Sequence, residues 1–146
     1  MKKILVLGAG AMGSAFTVPC LDNQNFVSLV GTHLEDKFMD QMMQNDNFHP
    51  ILNCKLPNKL KLRKFEKFAE EFKEKPDLIV LGVNSKGIDW AGNEIAKYYL
   101  PEIPILLLTK GLTIINNQYE TIAEKLKQIL KKNGSKKISI SAVGGP

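Results

Sequence analysis

Apolar residues along the chain fall into short unbroken runs separated by amphipathic stretches. Ile4-Leu-Val-Leu7, Phe26 to Val30, Asp77-Leu-Ile-Val-Leu81 and Ile103 to Leu108 are nearly free of polar positions. Runs of that length without alternation predict strands covered on both faces. Between them the period lengthens toward that of a helix. Helices are expected over about Ala11 to Leu21, Glu35 to Gln44 (Phe38, Met39, Met42, Met43), Phe65 to Phe72 and Ile88 to Tyr99. Pro76 stops the third of these. A long helix is expected from Thr113 to Lys132, on Ile114, Ile115, Ile122, Leu126, Ile129 and Leu130. Leu60-Lys-Leu-Arg63 reads as a short edge strand, Lys136 to Ile140 as a last strand, and Asn45 to Pro57 as a long loop. Strand and helix alternate, which predicts an α/β fold with a mainly parallel sheet, helices on both faces and right-handed crossovers.

Composition agrees with one folded unit. The 146 residues are 44% apolar and 24% charged, the balance of a globular chain. No apolar run approaches the ~20 residues of a membrane-spanning helix. The apolar run behind Lys2 and Lys3 ends at a glycine turn, so no signal peptide is expected. Cys20 and Cys54 match no zinc or redox spacing, so no metal site is expected, and a cytoplasmic location is the expectation for a lysine-rich chain without a signal sequence. Twenty basic against fifteen acidic residues leave a net charge of +5. The lysines are interleaved with acids, as from Lys64 to Lys75, so the surplus marks solvated helix faces rather than a nucleic-acid groove. A modest positive field also suits a phosphorylated small molecule.

The candidate chemistry begins at Gly8-Ala-Gly10-Ala-Met-Gly13, which follows the first strand and opens the first helix. That is the setting of a dinucleotide fingerprint, and it makes the expected fold Rossmann-like and doubly wound. Gly8 permits the tight turn, Gly10 admits a pyrophosphate, and Gly13 lets helix and strand pack closely. The helix N-terminus offers N–H groups and a positive dipole end. Gly31-Thr32-His33 follows the second strand, and the first acids, Glu35 and Asp36, come later. Thr32 and His33, with Lys37 nearby, are suited to a 2′-phosphate, which leans toward NADP or use of both cofactors; an ordinary surface loop explains His33 as well. Asn84, Ser85 and Lys110 fall at the carboxyl ends of later strands, where open α/β sheets bind ligands. Turn capping would account for Asn84 and Ser85, and solvation for Lys110. His49 has acid–base chemistry but no visible partner, which favours a structural or surface role. Cys20, Trp90 and the methionines read as packing.

In this order the motifs resemble the nucleotide-binding domain of NAD(P)-dependent glycerol-3-phosphate dehydrogenase. Four stretches carry the likeness: Gly8 to Ala15; His49-Pro50 with Asn53-Cys-Lys-Leu-Pro57; Leu106-Leu-Leu-Thr-Lys-Gly-Leu112; and Ser141-Ala-Val-Gly-Gly-Pro146. Ala11 and Met12 stand where that family usually has Ser and an aromatic. The resemblance implies hydride transfer between dihydroxyacetone phosphate and sn-glycerol 3-phosphate, with NADP or NAD as cofactor. It implies that Gly8, Gly10, Ala11, Met12 and Gly13 lie against the cofactor, that Lys110 faces cofactor and substrate, and that Gly145 lies near the substrate. It also implies a homodimer in the full-length protein. Residues 1–146 would be the dinucleotide-binding domain, continued after the Gly144-Gly145-Pro146 turn by a helical substrate domain that carries the proton-transfer lysine. By that expectation the chain alone binds nucleotide without turnover. A stand-alone nucleotide-binding module and a related reductase acting on another oxo or hydroxy substrate are the alternatives.

Overall fold

The computed structural model describes residues 1–99, 103–115 and 117–143. The chain runs β1 (Lys3–Leu7), α1 (Ala11–Asp22), β2 (Phe26–Val30), α2 (Asp36–Gln44), β3 (Phe48–His49), β4 (Cys54–Lys55) and β5 (Lys61–Arg63). A 3-10 turn at Phe65–Lys67 leads into α3 (Phe68–Lys73), followed by β6 (Leu78–Leu81). A second such turn, Ser85–Gly87, leads into α4 (Ile88–Ala96). Then come β7 (Ile105–Leu107), β8 (Leu112–Ile115), β9 (Gln118–Thr121), α5 (Ile122–Lys132) and β10 (Ile140–Ala142).

Six strands form one sheet in the order β10-β7-β6-β1-β2-β5, and every pair is parallel. Numbered along the chain, that order is 6-5-4-1-2-3, the doubly wound arrangement whose switch point lies between β1 and β6. β5 closes one edge, as Leu60 to Arg63 predicts. Apolar alternation explains why both faces are covered. Leu5, Leu7, Ile79, Leu81, Ile105 and Leu107 point into one core with Phe68, Ile88, Ile95, Leu126 and Leu130 of α3, α4 and α5. Ile4, Val6, Val27, Leu29 and Val80 point into the other with Cys20 of α1 and Met39 and Met42 of α2. Each such side chain contributes ~1.5–3 kcal/mol on full burial. Among the described residues, no helix is long and apolar enough to cross a membrane.

The structure corrects the expected helix from Thr113 to Lys132. Leu112–Ile115 and Gln118–Thr121 pair as antiparallel strands, and the helix begins at Ile122. Asn117, at φ 61, adopts the left-handed conformation that turns the hairpin. Thr121 then caps the helix reciprocally with Glu124: the Thr121 hydroxyl accepts from the Glu124 N–H (3.2 Å), and the Glu124 carboxylate accepts from the Thr121 N–H (2.9 Å). Smaller differences follow the same logic. The loop of Asn45 to Pro57 contains the two-residue pairing of β3 with β4. The last strand sits at Ile140–Ala142, where it pairs with β7, rather than over Lys136 to Ile140. Met43 is exposed, unlike Met39 and Met42.

Candidate functional site

Parallel registers set Leu7 beside Val30 and Leu81, and Leu81 beside Leu107. The carboxyl ends of β1, β2, β6 and β7 therefore share one edge, and the glycine turn lies at its switch point.

Three glycines interlock there. Gly8 has φ +105, a conformation that side chains resist, and a Cβ on it would lie 2.8 Å from the Gly82 carbonyl carbon. A Cβ on Gly13 would lie 2.1 Å from the Gly8 oxygen, and one on Gly82 would lie 2.7 Å from Gly13 Cα. The turn, the first helical turn of α1 and the loop after β6 are thus in backbone contact. Gly10 is different: a Cβ on it would meet nothing within 4 Å. Gly10 is also the N-cap of α1, with no side-chain cap and no acid in the first turn. The N–H groups beyond it are left for an anion. A dinucleotide pyrophosphate fits this cradle of open backbone and uncapped helix. Ala11 is half-buried and Met12 exposed on the same turn.

Ala9, inside the fingerprint, is pinned from three sides. Its carbonyl accepts from the Ser14 hydroxyl at 3.0 Å and lies 3.0 Å from His49 Nε2. The Leu52 N–H donates to His49 Nδ1 at 3.1 Å, so Nε2 is the nitrogen that bears hydrogen and donates to Ala9. His49 is fully buried and stacks edge-on to Phe38, so it holds the loop rather than facing a substrate. The Ala9 N–H donates to Glu35 Oε2 at 3.1 Å, and the Thr32 N–H donates to the same oxygen at 2.7 Å. In sequence Glu35 comes after the end of β2 at Val30. The turn closed by Glu35 N–H to the Thr32 carbonyl, 3.0 Å, brings it back.

The remaining candidates take their places around this edge. Thr32 is half-buried; His33 is exposed, with its ring 4.4 Å from that of Trp90 and 6.4 Å from Phe65. Trp90 therefore packs at the site's margin as well as on its helix. Asn84 accepts from the Gly87 N–H through Oδ1 at 3.0 Å and so caps the turn into α4. Asn84 and Ser85 are both exposed and follow the carboxyl end of β6, beside the end of β1. The Thr109 hydroxyl donates to the Val83 carbonyl at 2.5 Å and ties the loops after β6 and β7 together. Lys110, next to it, is exposed. Gly145 lies outside the described residues. A cavity of about 730 Å³ opens at the opposite, amino edge, lined by Lys3, Phe26, Lys61 and Glu71 among others, and no residue of the glycine turn reaches it.

Residues 3–146 match the family described as NAD-dependent glycerol-3-phosphate dehydrogenase N-terminus. The chain belongs to that family. It is 34% identical over 121 residues to the NADP(+)-dependent glycerol-3-phosphate dehydrogenase of Archaeoglobus fulgidus, covering 83% of this chain and 35% of the relative. It is 32% identical over 146 residues to the glycerol-3-phosphate dehydrogenase [NAD(P)+] of Mesoplasma florum, covering 99% of this chain and 41% of the relative. The crystal structure of glycerol-3-phosphate dehydrogenase from Coxiella burnetii superposes with a TM-score of 0.77 at 18% identity, over 99% of this chain and 41% of that one. That last likeness shows the fold. The chain spans roughly two fifths or less of the length of these relatives. Family membership makes NAD or NADP the cofactor.

Proposed function

We propose that the chain is the dinucleotide-binding part of an oxidoreductase that interconverts sn-glycerol 3-phosphate and dihydroxyacetone phosphate. The observation that carries this is one edge holding both an uncapped helix N-terminus at Gly10 and the exposed Lys110. The nicotinamide supplies hydride acceptance and donation when bound. Gly8, Gly10, Ala11, Met12 and Gly13 hold the pyrophosphate against the first turn of α1. Thr32 and His33 lie toward the adenosine end, and Asn84 and Ser85 along the middle of the edge. Lys110 reaches cofactor and substrate. Its cationic head draws in the substrate phosphate and stabilises negative charge as it develops on the carbonyl oxygen. Gly145 lies near the substrate in this reading.

In the same reading residues 1–146 form the nucleotide half. A helical substrate domain supplies the proton-transfer lysine, so that the 146-residue chain binds nucleotide without turning over. The full-length protein is a homodimer in the cytoplasm and serves glycerophospholipid metabolism. The test is steady-state oxidation of NADH or NADPH by the full-length native protein with dihydroxyacetone phosphate. Turnover that falls at least tenfold in a folded Lys110→Ala variant supports the proposal. Absent turnover with dihydroxyacetone phosphate, alongside turnover of another oxo acid, overturns it in favour of a related reductase. Nucleotide binding without any turnover of either overturns it in favour of a binding module.

A further inference from the structure

Glu35 lies 26 residues beyond Ala9 in sequence, yet its carboxylate closes the gap between the glycine turn and the end of β2. One oxygen, Oε2, takes the N–H groups of both Ala9 and Thr32. In doubly wound sheets an acid at this place accepts a hydrogen bond from the adenosine ribose 2′-hydroxyl. Such an acid ordinarily ends the second strand itself. Here the strand ends in Gly31-Thr32-His33, and the acid arrives from the N-cap of α2. A Cβ on Gly31 would lie 2.5 Å from Met39 Cγ, so α2 packs tightly against the strand end and fixes where Glu35 enters.

Two cations beside the end of β2 are paired with acids. β5 and the residue after it bring Arg63 and Lys64 beside the end of β2. Arg63 Nε pairs with Glu71 at 3.2 Å, and Lys64 Nζ pairs with Asp40 at 2.7 Å. Lys37 stands two residues beyond Glu35, a spacing that sets side chains on different faces of a helix. His33 lies against Trp90. A 2′-phosphate at the end of β2 would meet the Glu35 carboxylate, whereas a 2′-hydroxyl would donate to it.

We propose that Glu35 selects the cofactor, its carboxylate accepting from the adenosine ribose hydroxyl and repelling a 2′-phosphate, so that the chain takes NAD(H) in preference to NADP(H). This rests on the nucleotide reading of the glycine edge given above, and it reverses the lean toward NADP drawn from Thr32, His33 and Lys37. A dianion brought within hydrogen-bonding range of a part-buried carboxylate loses about tenfold or more in affinity.

The experiment is parallel titration calorimetry of the full chain with NADH and with NADPH, repeated on Glu35→Gln, which keeps an acceptor and removes the charge. NADH is expected to bind the unaltered chain at least about tenfold more tightly. In Glu35→Gln the ratio is expected to fall toward one, mainly through a gain for NADPH. Equal or tighter binding of NADPH by the unaltered chain overturns the proposal, as does an unchanged ratio in the folded variant. Should the variant fail to fold, adenosine 5′-monophosphate and adenosine 2′,5′-bisphosphate compete for NADH on the unaltered chain. Stronger competition by the bisphosphate overturns the proposal, and weaker competition supports it. Binding of neither dinucleotide at millimolar concentration overturns the nucleotide reading itself, an outcome distinct from binding with the opposite preference.

Discussion

Alanine at Gly10 and alanine at Gly13 should fail in opposite ways, although the two glycines belong to one motif. At Gly13 the new methyl would sit 2.1 Å from the Gly8 carbonyl oxygen. No flexible side chain is there to yield. The obstacle is backbone, and that backbone is held by Gly82 and by the positive φ of Gly8. Overpacking of this kind costs about 3 kcal/mol. Better helix propensity returns about 1 kcal/mol, leaving a net loss of about 2 kcal/mol. For a chain of this size that lowers Tm by about 4–8 °C. At Gly10 the backbone, φ −64 and ψ 176, suits alanine, and the methyl meets no atom within 4 Å. A poorer N-cap costs about 0.5–1 kcal/mol, and the smaller entropy of the unfolded chain returns a similar amount. Stability should therefore stay within about 0.5 kcal/mol. The methyl does occupy the space a pyrophosphate needs, so NADH affinity should fall at least about tenfold. Thermal unfolding and NADH titration on the same samples measure both quantities. Gly10→Ala with full affinity would refute the cradle, and Gly13→Ala with unchanged Tm would refute the interlocked backbones.

Two further outcomes follow from neighbouring groups. Trp90 is the single tryptophan, and its ring lies 4.4 Å from that of His33 at the end of β2. Its emission should fall as NADH binds, through energy transfer to the dihydronicotinamide; constant emission at saturating NADH would contradict binding at this edge. Glu71 is buried, which by itself would raise its pKa, but hydrogen bonds from Lys61, Ser28 and Arg63 and the Lys61 charge outweigh burial and hold it below the ordinary glutamate range. A lowered folded pKa stabilises above the unfolded value, about 4.3, and the contribution is lost as pH falls through the folded value. Glu71→Gln should cost about 1 kcal/mol at pH 7, discounted because Lys61 and Arg63 are partly exposed. The gap in Tm between the two proteins should close as pH drops below 4, and a gap independent of pH would refute the pairing.

Much of the fold is legible in residues whose environment is uniform. Ile4 to Leu7 and Leu78 to Leu81 are apolar on both faces because the sheet is covered on both, so the strands announce themselves. The glycine spacing likewise states its own geometry, since Gly8 and Gly13 answer to local backbone contacts. Ile114 and Ile115 misled because their spacing to Ile122 suits a helix face, whereas they lie in a hairpin strand. The deciding signals were the Thr121–Glu124 capping box and the left-handed Asn117, which periodicity does not weigh. The site was half readable. Thr32, Asn84, Ser85 and Lys110 fall at strand ends in the sequence and in the structure. The structural role expected of His49 is the one it has, but that its partner is Ala9, and that Glu35 also reaches Ala9, has no local pattern, because a long loop and a turn make those closures. Gly82 is a similar case, since its need for glycine comes from Gly13 and is invisible in its own surroundings.

The carboxyl edge at Gly8 to Gly13, and not the cavity at the amino edge, receives the dinucleotide in this reading. A backbone amide correlation spectrum of the 16.3 kDa chain, recorded during titration with NADH, tests it directly. The account predicts shifts concentrated at Gly8 to Gly13, Thr32 to Glu35 and Asn84 to Gly87, with little change at Lys3, Phe26 and Lys61. Shifts confined to Lys3, Phe26, Lys61 and Glu71, or an unchanged spectrum at millimolar NADH, would contradict it.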